Sequence, residues 1–250
     1  MSVKSVFALT LHALAVGVLA YGYKGLETTE LNSFIIKQRG GHSQFLTIQA
    51  LIITWFTMLI SLFCDIIPKS QALKNIKRSL FLIAMPLAVV VTTIYWTLML
   101  CFPSLILQAS PQAPSTPGLT SEPLEGPSSS PKIPHLVRIP LSLDLSLHAA
   151  PAISLLLDFF VLEKSYGPTA ASLGATVMSA IFGIWYSAWV EWCAEENGHF
   201  PYPFLTVNEF PGRVAIYAIV TVIAFISFRG LNALHLKLTG TEPLVKNKLS

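Results

Sequence analysis

His148 has Asp144 four residues before it, close to one helical turn, so the two side chains fall on one helix face. An imidazole beside a carboxylate can act as a general base, with the acid fixing its tautomer. The structural alternative is a histidine hydrogen-bonded to a neighbouring helix. Pro151, three residues on, has no amide hydrogen and frees the carbonyl of Leu147, which predicts a kink beside the pair. Thr47 is a second candidate, following the Gly40-Gly41 turn and Ser43, a residue suited to N-capping. A hydroxyl becomes a nucleophile when a base lies within hydrogen-bond reach. Most threonines in membrane helices instead bond back to the carbonyl four residues earlier, here that of Ser43. A third cluster runs from Glu191 to Leu205 and contains His199. Its acids, prolines and aromatics suit an interfacial loop that anchors helix ends.

The elements that carry these residues follow from composition. Hydrophobic residues make up 53% of the 250 positions and charged residues 12%, and the mean hydropathy is +0.62. A soluble domain usually carries about 25% charged residues to keep its surface wet. So low a share, clustered between long uncharged runs, implies a chain solvated by lipid, where a central charge costs about 2.5–3.5 kcal/mol. Six runs approach the ~20 apolar residues that a spanning helix needs: 6–23, 45–66, 80–101, 141–162, 169–192 and 214–228. The last extends to Leu236 if Arg229 snorkels to the interface. Helix is the only state that satisfies the backbone of such runs in lipid. The expected fold is therefore all-α: one polytopic membrane domain over residues 1–250, with six transmembrane helices in a bundle. Residues 103–140, rich in Pro and Ser, form a flexible loop between the third and fourth helices.

In an up-down bundle the starts of the second, fourth and sixth helices share a face with the ends of the first, third and fifth. Thr47, His148 and the loop around His199 then lie on one side. At about 1.5 Å rise per residue, Thr47 and His148 sit at similar depth, roughly one to two turns below the surface. Basic residues outside the spans favour both termini in the cytosol. The first run follows Lys4 and is short, yet it lacks a small-x-small cleavage site and reads as a retained helix. Cys64, Cys101 and Cys193 are too few and too far apart for a disulfide framework, and the positive balance reads as topology rather than a nucleic-acid surface.

The segment from Gly40 to Thr47, GGHSQFLT, is similar to the GG-x-x-x-F-L-T stretch of the androgen-induced and androgen-dependent TFPI-regulating membrane proteins. Ile139-Pro140 followed by His148 and Asp158 resembles that family's fourth helix, which also has an acid ten residues after the histidine. Tyr202-Pro203-Phe204-Leu205, Pro211-Gly212-Arg213 and Trp96 match further family features, in order, from helix one to helix six. Two departures stand out. The 103–140 loop is longer and richer in Pro and Ser than in animal members, which suggests a fungal branch, and Asp144 stands where an animal member has Asn.

The family resembled consists of membrane hydrolases that cleave fatty acid esters of hydroxy fatty acids with a threonine and a histidine. The resemblance implies Thr47 as nucleophile and His148 as base, with Trp96 matching a family tryptophan; Asp144, by its spacing from His148, and His199, by its side of the bundle, are candidate supporting residues. The resemblance implies no cofactor and no metal, a lipid ester as substrate, membrane lipids as surroundings and no nucleic-acid partner. The expected location is the endoplasmic reticulum or plasma membrane. A backbone N–H near the Gly40-Gly41 turn or the Pro151 kink would serve as oxyanion donor. Two other functions fit the residues: a zinc-dependent membrane lipid hydrolase using Asp144, His148, His199 and His42, and a regulator or scaffold without turnover. A transporter is less favoured, because no charged pathway or inverted repeat is visible.

Overall fold

In lipid the backbone of each apolar run closes its own hydrogen bonds, and the described residues, 2–107 and 138–240 of a computed structural model, contain helices and no strand. The predicted 103–140 loop lies mostly outside them. In chain order the helices are α1 (Val3–Gly25), α2 (Asn32–Ile35), α3 (Leu46–Ile66), α4 (Gln71–Cys101), α5 (Leu141–His148), α6 (Ala150–Leu157), α7 (Ala175–Asn197), α8 (Pro203–Thr206) and α9 (Phe210–Thr239). A π-helical turn, Asp158–Leu162, continues α6, and a second, Ala170–Gly174, leads into α7. The Ser2 and Ser70 hydroxyls cap α1 and α4 by accepting the N–H groups of Ser5 and Leu73.

Five of these helices are long and apolar enough to cross a membrane alone. The α5–α6 pair supplies a sixth pass, bent by 45°. The expected kink is therefore present and falls at Ala149, between His148 and Pro151. Some boundaries differ from the sequence reading. The third pass begins at Gln71 rather than Leu80, because the charges of Lys77 and Arg78 are neutralised by acidic partners. The last pass runs through Thr239, with Arg229 lying over the Phe225 ring.

The α3–α4 pair forms the centre, with half of each apolar window buried, against 11% for α9. The outer helices turn apolar side chains outward, as Ile184 in α7 does at 71% exposed. Such a surface would be costly in water and is at no cost in hydrocarbon. Close approach drives helix association there: a Cβ on Gly183 would lie 2.3 Å from Thr221 Oγ1, so α7 meets α9 only because this position carries no side chain. Phe81, Phe159, Phe228, Met58 and Met85 fill the core near the end of the bundle where α3 finishes and α4 begins.

Candidate active site

Thr47 is the second residue of α3, and the turn before it is built on glycine. Gly40 and Gly41 have φ of 82° and 47°, left-handed values that a side chain would strain. A Cβ on Gly40 would also lie 2.6 Å from Cys193 Sγ, so the turn can rest directly on α7. Asn197 holds it there, accepting from Arg39 N–H at 2.8 Å and donating to Arg39 O at 3.1 Å. Gln44, fully buried, donates to Gln38 Oε1 and Gly41 O.

One consequence concerns the carbonyl of Ser43. It accepts from Gln49 Nε2 at 2.7 Å and from Trp189 Nε1 at 3.1 Å, which occupies both lone pairs. Thr57, Thr93, Thr176, Thr221 and Thr239 all donate to the carbonyl four residues earlier. Thr47 does not: Ser43 lies before the helix, beyond the extended Phe45, and its carbonyl is already held twice. The Thr47 hydroxyl turns instead toward the phenol of Tyr202.

His148 ends α5. Its Nδ1 lies 2.7 Å from Asp144 Oδ1, the contact expected from their spacing. That places the ring proton on Nδ1 and leaves Nε2 as the basic nitrogen. The imidazole lies flat on Tyr95 of α4, with centroids 3.4 Å apart and planes within 1°. Thr92, one turn earlier on α4, donates to the His148 carbonyl at 2.6 Å, satisfying a backbone group at the helix break. Carboxylate, stack and carbonyl bond together fix the ring in one orientation.

Two cavities meet at this point. An apolar one of about 330 Å³ lies between α4, α7 and α9. A second, of about 470 Å³, lies under the loop after α1 and has Glu30, His42, Arg138 and His148 in its wall. Thr47, Tyr95, Ile106 and Tyr202 line both. Thr47 and His148 thus face one space, and no direct hydrogen bond joins them among the described residues. His42 bonds to Asn32 Oδ1 at 2.8 Å, and burial lowers its pKa, so it stands neutral at pH 7.

The remaining candidates are placed differently. Trp96 touches the edge of Tyr95, 5.4 Å between centroids, and lines neither cavity. His199 stacks on Phe34 and contacts Gln38 Nε2 at 3.3 Å, in a separate groove with Glu191 and Arg213. Of the four residues considered for zinc, Asp144 and His148 are paired, and no group of three or more such ligands converges among the described residues. The Gly41 N–H, one of the expected oxyanion donors, is engaged with Gln38 O at 3.0 Å. Sequence reasoning missed Tyr95, Thr92, Gln49 and Trp189 altogether. Tyr95 adjoins Trp96, which the resemblance singled out, and Tyr202 opens its Y-P-F-L stretch.

A second polar cluster, also unforeseen, occupies the opposite end of the bundle. His12 Nδ1 lies 2.6 Å from Asp65, and its Nε2 lies 3.1 Å from Asp158 Oδ2. Lys77 Nζ is 2.9 Å from both Asp158 and Glu163, and Arg78 is 3.0 Å from Glu163. Ser61 donates to Asp158 at 3.3 Å. Asp158, which the resemblance paired with His148 by spacing, belongs to this cluster and not to the cavity.

A family model for FAR-17a/AIG1-like proteins matches residues 7–236. The UPF0641 membrane protein PJ4664.05 of Schizosaccharomyces pombe is 25% identical over 226 residues, covering 90% of this chain and 88% of its own length. The UPF0641 membrane protein YHR140W of Saccharomyces cerevisiae is 25% identical over 230 residues, covering 88% and 86%. Both relatives are fungal, in line with the branch suggested by the long loop. No solved structure matches.

Proposed function

The chain belongs to the FAR-17a/AIG1-like family, and on that footing we propose that it hydrolyses lipid esters, with Thr47 as nucleophile and His148 as general base. The observation that carries this is the state of the Thr47 hydroxyl. The carbonyl four residues back, that of Ser43, lies outside the helix and is held by Gln49 and Trp189, and Thr47 lines the cavity that His148 lines.

The reaction follows from these positions. Thr47 Oγ attacks the ester carbonyl carbon while its proton passes to His148 Nε2, and the carbonyl π pair moves to oxygen. The pair returns, the carbon–oxygen bond to the alcohol breaks, and His148 gives its proton to the departing alkoxide. Water, deprotonated by the same nitrogen, then attacks the acyl-threonine; the carbon–Oγ bond breaks, the acid leaves, and His148 returns the proton to Thr47 Oγ. Asp144 holds the imidazole in the required tautomer and stabilises it when charged.

The cavities suit a substrate with two arms. A long acyl chain in the apolar cavity gains about 0.8 kcal/mol for each buried methylene. The alcohol portion occupies the second cavity, which has room for a branched or polar group. Fatty acid esters of hydroxy fatty acids have this shape. Purified full-length protein in lipid nanodiscs, given a panel of branched and linear lipid esters, hydrolyses them, with the branched ones preferred. Thr47→Ala loses turnover while keeping its thermal midpoint. A folded Thr47→Ala protein with wild-type turnover on every hydrolysed ester contradicts the assignment.

A further inference from the structure

Tyr202 precedes α8, its ring edge-on to Phe45 and stacked on Phe204. Its hydroxyl reaches across to the start of α3. The Leu46 N–H donates to Tyr202 Oη at 2.9 Å, and the Thr47 N–H and hydroxyl face the same oxygen. These first-turn N–H groups have no partner within the helix and carry the positive end of its dipole. Phe45, at the N-cap, supplies no side-chain acceptor. The phenol therefore takes a place that a short polar residue at position 45 fills in many helices.

A phenol brings what such a cap does not. Its oxygen accepts from the helix end. Its own proton can turn to the Tyr186 phenol, which lies against it and itself donates to Gln44 O at 3.2 Å, or into the cavities once a carbonyl is bound there. Tyr202 lines both cavities, which hold the space where a carbonyl attacked by Thr47 must lie. Burial pushes the phenol pKa up, so the group stays protonated and remains a donor.

We propose that Tyr202 is a catalytic residue, the hydrogen-bond donor to the carbonyl oxygen of an ester bound over Thr47. The α3 N–H groups act through it. They polarise its O–H bond by binding the oxygen, and so strengthen the donor without touching substrate. When Thr47 Oγ bonds to the carbonyl carbon, the π pair becomes a lone pair on oxygen. That oxyanion accepts the Tyr202 hydrogen bond, and the phenol keeps its proton. When the pair returns and the alkoxide leaves, the bond weakens to its ground-state strength. This is stabilisation confined to the tetrahedral intermediate, and it raises kcat. The proposal rests on the ester-hydrolase reading of the same site.

The test compares a long-chain oxygen ester with its thionoester, whose C=S sulfur is a poor hydrogen-bond acceptor. In full-length protein in nanodiscs, Tyr202→Phe lowers kcat for the oxygen ester on the order of 10²–10³-fold. KM changes little, the thionoester rate barely moves, and the ratio between the two esters collapses. A phenol that only caps α3 gives an equal loss for both esters, and that result overturns the proposal. If Tyr202→Phe does not fold, 3-fluorotyrosine at position 202 replaces it, with nearly the same shape and a more acidic phenol. It raises kcat for the oxygen ester, and an unchanged kcat overturns the proposal. An active Tyr202→Phe beside an inactive Thr47→Ala sinks the Tyr202 assignment alone. An active Thr47→Ala sinks the hydrolase reading together with it.

Discussion

His12 and His148 each hold a carboxylate on Nδ1, at 2.6 and 2.7 Å, at opposite ends of one bundle. At His12 both nitrogens face acids, Asp65 and Asp158, and Asp158 is paired with Lys77 as well. None of the cavities described above reaches His12. At His148 only one nitrogen is committed, the ring is held on Tyr95, and the other side opens on a cavity shared with Thr47. A histidine–carboxylate pair in a membrane is thus not by itself a sign of chemistry. What separates the two is a basic nitrogen left for a reactant, and beside it a hydroxyl kept from its usual acceptor.

The His12 cluster joins α1, α3 and α4 to the π-helical turn after α6, and it looks like the clasp of the bundle. Buried ion networks of this kind add little over an apolar substitute, but removing one member leaves charge uncompensated and costs about 3–5 kcal/mol. The sharpest way to break the comparison is to damage each end separately. His148→Ala lowers ester turnover on the order of 10⁴–10⁶-fold and lowers the thermal midpoint less than Asp158→Ala does, because Asp144 keeps its hydrogen bond to Tyr95. Asp158→Ala removes the buried acid that His12 and Lys77 share and lowers unfolding stability by about 3–5 kcal/mol, while the folded fraction keeps its kcat. Rates per folded molecule, measured beside thermal unfolding in the same nanodiscs, separate the two outcomes. A stability loss at His148 matching that at Asp158, with turnover intact, would make both clusters structural.

A smaller effect sharpens the role of the Ser43 carbonyl. Gln49→Leu frees one of its lone pairs, and Thr47 Oγ gains the acceptor that other threonines of this protein use. A hydrogen bond of this kind is worth about 1 kcal/mol. Breaking it in the attacking state lowers kcat roughly five-fold. An unaltered kcat means that occupancy of the carbonyl is not what keeps the hydroxyl available.

The passes were legible because the bilayer leaves few choices: long uncharged runs must be helices, and Pro151 must disturb the helix it sits in. Their ends were less so. Lys77 and Arg78 look like loop charges until Asp158 and Glu163 arrive from another helix to neutralise them. In the site, the His148–Asp144 pair could be read from spacing alone, since four residues make one turn of the same helix. The common sidedness of Thr47 and His148 followed from counting passes. Tyr95 beneath the imidazole, Trp189 on the Ser43 carbonyl and Tyr202 at the head of α3 could not be read, because each comes from an element remote in sequence. His12 was overlooked for the same reason. Alone in an apolar helix it is one costly residue, and its meaning lies in Asp65 and Asp158.

The most direct test of the central claim is site-resolved labelling. A lipid-tailed fluorophosphonate is incubated with full-length protein in nanodiscs, and the modified peptide is sequenced by mass spectrometry. The account predicts one adduct, on Thr47 Oγ, lost in Thr47→Ala and nearly lost in His148→Ala, yet undiminished in the folded fraction of Asp158→Ala. Hydrolysis of lipid esters that proceeds with Thr47 unlabelled, or with the adduct on another residue, contradicts it.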